Sequence, residues 1–232
     1  MRIATSVAYL AALIITACNA LSAPVLNAAP QETGTMTAEN EGAGGVELDC
    51  HPTRDGDVLV FPYTITNASG GDIYVLDALP ELDPATGQAR ANLNSAVITR
   101  GEDEFAHILR GIAPLPPDST VSVRIIPLAT KLPAGGTLER HLTIDIPLHE
   151  TGPYHPDLPV SRYHQRDVRG VVLTVQYLAA SAEGFGAAPV DYAPELFRVF
   201  ARNTVGQAAS ISCRHPARGL SILVRAGDSP RP

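Results

Sequence analysis

The chain has 232 residues, of which 45% are hydrophobic, and it carries a formal net charge of −7. This length suits one β-sandwich of ordinary or large size, or two small domains. The acidic balance argues against a nucleic-acid partner, because binding to phosphates needs a basic surface. Aromatic residues make up only 5% of the chain and tryptophan is absent, so Val, Ile and Leu have to form most of the core.

Residues 1–17 are predicted to be a secretory signal. Arg2 supplies a positive charge, and the apolar run Val7–Ile15 that follows is too short to cross a bilayer. Ile15-Thr16-Ala17-Cys18 comes directly after this run. These four residues resemble the lipobox of bacterial lipoprotein precursors. The resemblance implies cleavage before Cys18 and attachment of a diacylglyceryl group to its thiol, and Asn19 at the next position implies sorting to the outer membrane.

Residues 18–45 are predicted to be a flexible tether. They are mostly small or polar and show no periodicity, so they cannot bury enough apolar surface to offset the entropy lost on ordering. We therefore expect an exported protein that a lipid anchor holds on the bacterial outer membrane. The alternative is a periplasmic or secreted protein that is cleaved after Ala20 or Ala23.

The predicted folded domain, residues 46–228, is centred on Val58–Leu79, which reads as two strands joined by a turn at Asn67–Gly71. A single hairpin is not stable in water, so further strands have to cover its apolar face. Segments with period-2 alternation supply them. These segments are Val46–Cys50, Ala96–Arg100, Phe105–Leu109, Val121–Ile125, Leu138–Ile146, Val171–Tyr177, Phe197–Ala201, Ala209–Cys213 and Leu220–Val224.

The pattern predicts an all-β fold with no long helix. Parallel sheets usually need crossover helices, so antiparallel pairing is expected. Two packed sheets, similar in architecture to an immunoglobulin-like β-sandwich, fit this strand content best. The hallmark tryptophan of antibody domains is absent, and two smaller sandwiches split near Leu128–Gly136 are the alternative. Pro80–Asn92 and His215–Gly219 are predicted to be a loop and a turn.

Cys50 and Cys213 are predicted to form a disulfide. Lipidation of Cys18 leaves them as an even pair in an oxidising compartment, where disulfides persist. Strand parity places both sulfurs on core-facing sides, with Val46 and Leu48 in one strand and Ala209 and Ile211 in the other. The alternative is a metal site that combines these two cysteines with His51 and His215.

The longest stretch without a clear pattern, His149–Gly170, is a candidate binding loop. Tyrosine and arginine are typical contact residues of binding surfaces. Histidine side chains suit copper and zinc, so a metal site at His149, His155 and His164 is an alternative. The residues proposed for this loop are His149, Tyr154, His155, Arg162, Tyr163 and His164.

The sequence predicts no enzyme and no cofactor. It contains no nucleophile elbow, phosphate-binding loop or zinc-protease motif. Thr151-Gly152-Pro153 after His149-Glu150 excludes the helix that a zinc-protease motif needs. We expect a non-catalytic envelope lipoprotein that binds or braces another envelope component, a protein or a glycan. The alternative is a periplasmic protein that binds copper or zinc through its histidine-rich loop.

We predict that Cys18→Ala abolishes membrane fractionation, because several acyl chains are needed for stable anchoring and this residue carries them. The matched variant Ser22→Ala should stay in the membrane fraction. Mass spectrometry of the mature N-terminus checks the modification directly. An unmodified peptide that starts at Leu21 or later would contradict lipidation.

Overall fold

The structure, a computed structural model, describes residues 44–116, 121, 124–154 and 158–226. Cys18 and almost all of the predicted tether lie outside these residues. The described part of the chain contains fourteen strands and very little helix, which confirms the all-β class. The strands are β1 (Val46–Cys50), β2 (Thr53–Asp55), β3 (Val58–Asn67), β4 (Ile73–Leu82), β5 (Ala89–Asn92), β6 (Val97–Arg100), β7 (Ala106–Arg110), β8 (Leu128–Leu132), β9 (Thr137–Asp145), β10 (Leu148–His149), β11 (Tyr163–Ala179), β12 (Gly186–Val190), β13 (Ala193–Phe200) and β14 (Ala209–Arg225).

The small sheet is built on β3, which pairs with β9 on one side and with β1 and β2 on the other. β1 and β2 follow one continuous antiparallel register along β3, with Cys50 opposite Tyr63 and Thr53 opposite Val60. The interruption between them contains Pro52 and faces Pro62. Proline has no backbone N–H to donate, so the ladder breaks at this point without a change of register.

The large sheet runs in the order β10-β14-β11-β4-β8-β13-β12, and β6 and β7 extend it beside β11. Most neighbouring strands of this sheet pair antiparallel, as predicted, but β7 pairs with β11 in parallel and β10 pairs with β14 in parallel. In both cases other strands lie between the partners in sequence. Two parallel strands need a connection that brings the chain back to the same end of the sheet, usually a helix. Here the intervening strands provide that connection.

β11 and β14 are each 17 residues long and pair along almost their whole length. Two predictions are therefore wrong: the chain is not irregular from Tyr163 onward, and His215–Gly219 is not a turn between two strands. It contains a bulge instead, because the register shifts between Val168 opposite Leu220 and Gly170 opposite Pro216. A bulge accommodates the proline and lets the backbones approach closely.

Three other segments differ from prediction. The loop Pro80–Asn92 is largely a hairpin of β4 and β5, and only its tip, where Asp83 Oδ1 accepts the backbone N–H groups of Ala85 and Thr86, is a turn. Of the predicted strand Val121–Ile125, the described residues lie outside any strand. The strand predicted at Phe197–Ala201 begins earlier and forms a hairpin with β12. The sequence does not predict β12, because Pro189 and the small residues around it weaken the strand pattern.

The two sheets share a core in which apolar residues of β1, β3 and β9 meet those of β4, β7, β11 and β14. β4 is buried on both faces: Ile73 and Val75 point into this core, while Tyr74 and Leu76 pack in a second cluster on the other side of the large sheet. A third small cluster lies around Leu196. All described residues belong to one compact unit, and β8 pairs with both β4 and β13 within the large sheet.

A disulfide joins Cys50 to Cys213, as the sequence predicts, with 6.5 Å between the two Cα atoms. Cys50 ends β1 of the small sheet and Cys213 lies within β14 of the large sheet. The bond therefore ties the two layers together across the shared core. The two residues are 163 positions apart in the sequence, so the bond closes most of the folded chain.

Asn67 at the end of β3 is fully buried and holds two turns together. Its side-chain amide donates hydrogen bonds to the carbonyl oxygens of Gly71, Leu132 and Pro133. Its side-chain oxygen accepts hydrogen bonds from the backbone N–H and the hydroxyl group of Ser69. Asparagine is common in turns because it tolerates a positive φ, but in this turn the positive φ falls at Gly70. The buried hydrogen bonds explain the asparagine instead.

We predict that Cys50→Ser, Cys213→Ser and the double variant lower the melting temperature by the same amount. Closing a loop of this length stabilises the fold by about 5 kcal/mol in the chain-entropy model, which is an upper value because residual structure in the unfolded chain reduces it. Thermal unfolding with and without reductant measures the effect. Two free thiols in the unreduced, denatured protein, or wild-type stability in either single variant, would contradict the bond.

Candidate functional site

A groove of about 490 Å³ lies at one end of the structure, where β4, β5 and the end of β9 meet the chain around His149. Its floor is apolar and includes Leu79, Ile98 and Ile144, and its rim is polar and includes Asn92 and Asp145. An apolar floor with a few placed polar groups is the usual composition of a ligand site. A second depression, of about 520 Å³, lies on the outer face of the small sheet between β1, β3 and β9.

Hydrogen bonds hold both walls of the groove in place. The side chain of Asn94 behaves like a short piece of strand on β9: its amide donates to the carbonyl oxygen of Thr143 (3.0 Å), and its oxygen accepts the backbone N–H of the same residue (2.8 Å). On the opposite wall the backbones of Ile98 and Thr151 exchange two hydrogen bonds, of 3.1 and 3.0 Å. A groove with fixed walls loses little conformational entropy when it binds a ligand.

The groove carries negative charge. Glu81 is paired with Arg90 (2.7 Å) and accepts a hydrogen bond from the Asn92 amide, while Asp145 is exposed and makes no ion pair among the described residues. None of the described residues that line the groove is Lys or Arg. A neutral or cationic ligand is therefore favoured over an anionic one.

Of the residues in the predicted binding loop, the structure brings His149 and Tyr163 together. Their rings lie 4.2 Å apart between centroids and are tilted by 51°. The Arg225 guanidinium lies 5.8 Å from the centre of the Tyr163 ring. Next to them, the Glu150 carboxylate accepts the backbone N–H groups of Arg100 and Arg225. Tyr163 is buried, so in this cluster only the half-buried His149 contributes to the groove.

The other predicted residues lie apart from this pair. The Tyr154 hydroxyl accepts the backbone N–H of Ile125 (2.9 Å). Arg162 is exposed, and His164 is exposed and follows Tyr163 in a strand, so it points to the opposite face. His155 lies outside the described residues. Within the described ranges no three His, Cys, Asp or Glu side chains are close enough to hold a metal ion.

The alternative metal site at the cysteines is excluded in its proposed form, because the Cys50 and Cys213 sulfurs are bonded to each other. His51 and His215 do lie near one another: burial, and then the neighbouring His51 ring, lower the pKa of His215. His51 itself is exposed and lies 3.1 Å from the Asp49 carboxylate.

A buried charged cluster inside the protein was not predicted. Asp77 of β4 pairs with Arg140 of β9 across the core, with 3.0 Å between the Arg140 Nε and the carboxylate. The Thr130 hydroxyl donates to the same carboxylate. Nearby are Arg110 and the Tyr63 hydroxyl, and burial raises the pKa of Tyr63 to about 12.

The sequence does carry a signal for this cluster. Asp77 has the same strand parity as Ile73 and Val75, Arg110 the same as Ala106 and Ile108, and Arg140 the same as Leu138 and Leu142. Each is therefore a charged residue at an inward-facing position of an otherwise apolar alternation. Charges of opposite sign at core positions indicate that they are paired inside the fold.

Comparison with protein families, with curated proteins and with solved structures found no match to this chain. Across the described residues, no helix is long and apolar enough to cross a membrane. Function therefore has to be inferred from the groove and from the N-terminal sequence.

We predict that His149→Ala lowers the free energy of unfolding by about 1 kcal/mol, because the variant loses the ring contact with Tyr163. The matched variant His164→Ala should change it by less than about 0.5 kcal/mol, since that side chain is exposed. Chemical denaturation of both variants measures the difference. Equal effects of the two substitutions would contradict a packed His149.

Proposed function

We propose that this protein is a non-catalytic binding module of the bacterial envelope, an immunoglobulin-like two-sheet domain carried on an N-terminal lipid anchor. The observation that carries the proposal is the groove near His149. It combines an apolar floor, a polar rim and walls that are fixed by hydrogen bonds. These properties fit the recognition of another molecule.

The lipobox-like sequence at Ile15–Cys18 supports the anchor, and the disulfide supports export, because such bonds persist in oxidising compartments. The tether of about 28 residues, 18–45, separates the anchor from the first strand. A flexible chain of that length reaches roughly 25–30 Å on average, which lets the domain meet partners away from the membrane surface.

The acidic rim of the groove favours a neutral or cationic partner over an anionic one. Asp145 is unpaired among the described residues and Glu81 is shared with Arg90, so an anionic polymer would be repelled at the rim. A neutral glycan or a peptide segment with a basic residue fits this charge. We propose one of these, on an envelope component, as the partner.

Binding of copper or zinc is the alternative function, with His149, His155 and His164 as ligands. His149 and His164 lie on different faces of the structure, so a site that contains both would require the chain around β10 and β11 to rearrange. Elemental analysis of the purified, tag-free full chain separates the two functions, because stoichiometric copper or zinc would favour the metal site.

We predict that Thr151→Trp abolishes capture of the partner from envelope extracts, because a large ring at this position fills the groove. Thr64→Trp, on the outer face of the small sheet, should leave capture unchanged. Capture is measured by cross-linking to the purified full chain, and both variants are first checked for wild-type melting temperatures. Equal capture by the wild type and Thr151→Trp would exclude the groove as the binding site.

A further inference from the structure

The charged cluster in the core, formed by Asp77, Arg140 and Arg110, contains two positive charges and one negative charge. Asp77 and Arg110 each expose only 1% of their surface. Asp77 supplies the negative charge, and this carboxylate is already paired with Arg140. Arginine stays protonated in proteins. Arg110 forms no ion pair with any residue that the structure describes, so the cluster of Asp77, Arg140 and Arg110 keeps one net positive charge.

Arg110 also has hydrogen-bond donors without acceptors. Its Nη1 group donates to the carbonyl oxygen of Leu93, but its Nε and Nη2 groups have no partner among the described residues. The buried Tyr63 hydroxyl likewise has no partner in the described part of the chain. A buried donor without an acceptor destabilises the fold, and a buried charge without a counter-charge destabilises it more strongly. The two unpartnered nitrogen atoms of the buried Arg110 guanidinium indicate that another group occupies the position beside it.

The space available is small. A cleft of about 10 Å³ lies beside Arg110 and Asp77. This volume admits at most one small particle, and it is too small for phosphate, sulfate or a carboxylate. Leu79, Ser95 and Ala96 line both this cleft and the surface groove, so the cleft lies beside a route to solvent.

We propose that this cleft is a binding site for a single monatomic, monovalent anion, namely chloride, held by the Arg110 guanidinium. The anion accepts the free N–H groups of Arg110 and supplies the missing negative charge. Water would satisfy the donors but would leave the charge uncompensated. Asp77 does not exclude the anion, because Arg140 neutralises its carboxylate and the Thr130 hydroxyl donates its one proton to that carboxylate.

Thermal unfolding of the full chain in chloride tests the site. We expect the melting temperature in sodium chloride to exceed that in sodium gluconate at equal ionic strength. Above the dissociation constant it should rise by about 3–5 °C for each tenfold increase in chloride. Arg110→Met should abolish this dependence, whereas Arg198→Met, at an exposed position in β13, should keep it. Equal melting temperatures in the two salts, or a chloride effect that persists in Arg110→Met, would overturn the proposal.

A second measurement needs no variant and decides the matter if Arg110→Met does not fold. Crystals of the wild-type protein grown or soaked in bromide should show one anomalous peak in the cleft beside the Arg110 guanidinium. Bromide has the same charge as chloride and is only slightly larger. No peak there, with a water molecule at the position instead, would show that the cleft holds water only and would overturn the proposal.

Discussion

The covalent bond between Cys50 and Cys213 is the constraint on which the two-layer arrangement depends. The small sheet is only three strands wide, and its apolar face has to be covered by a second layer. Its β1 edge buries Val46, Leu48 and Cys50 in the shared core. The disulfide fixes this edge to β14 of the large sheet and so holds the two layers together. The apolar face of β3, with Phe61 at its centre, is buried between them.

Two buried polar residues, Asn67 and Arg110, differ in how completely their hydrogen-bonding groups are satisfied. Every side-chain group of Asn67 has a partner, and those partners all belong to the two turns that it joins. Arg110 is equally buried, but two of its nitrogen atoms have no partner within the ranges that the structure describes. The first residue is explained completely by the fold around it, because its bonds hold that fold together. The surrounding fold does not explain Arg110 in this way, and its unpartnered N–H groups are where we propose that the anion binds.

The sequence predicted those features that depend on local alternation. The all-β class follows from period-2 patterns, and the disulfide follows from the parity of Cys50 and Cys213. It did not predict the length of β11 or the continuity of β14, because Pro216 and Gly219 read as a turn when the partner strand is unknown. The groove and the charged cluster were missed for a related reason. Asp77, Arg110 and Arg140 come from three separate strands, and their proximity depends on pairings that a single sequence does not reveal.

The hydrogen bonds between Asn94 and Thr143 have a consequence for how neighbouring copies of the protein behave. β9 is the exposed edge of the small sheet, and such edges recruit strands from other molecules. Asn94 occupies the free backbone groups of Thr143, and the Arg140 guanidinium occupies the carbonyl oxygen of Glu139. A chain that the proposed anchor concentrates on a membrane meets other copies in two dimensions at high local density. Side chains that cap the edge would let these copies crowd together without joining their sheets into aggregates.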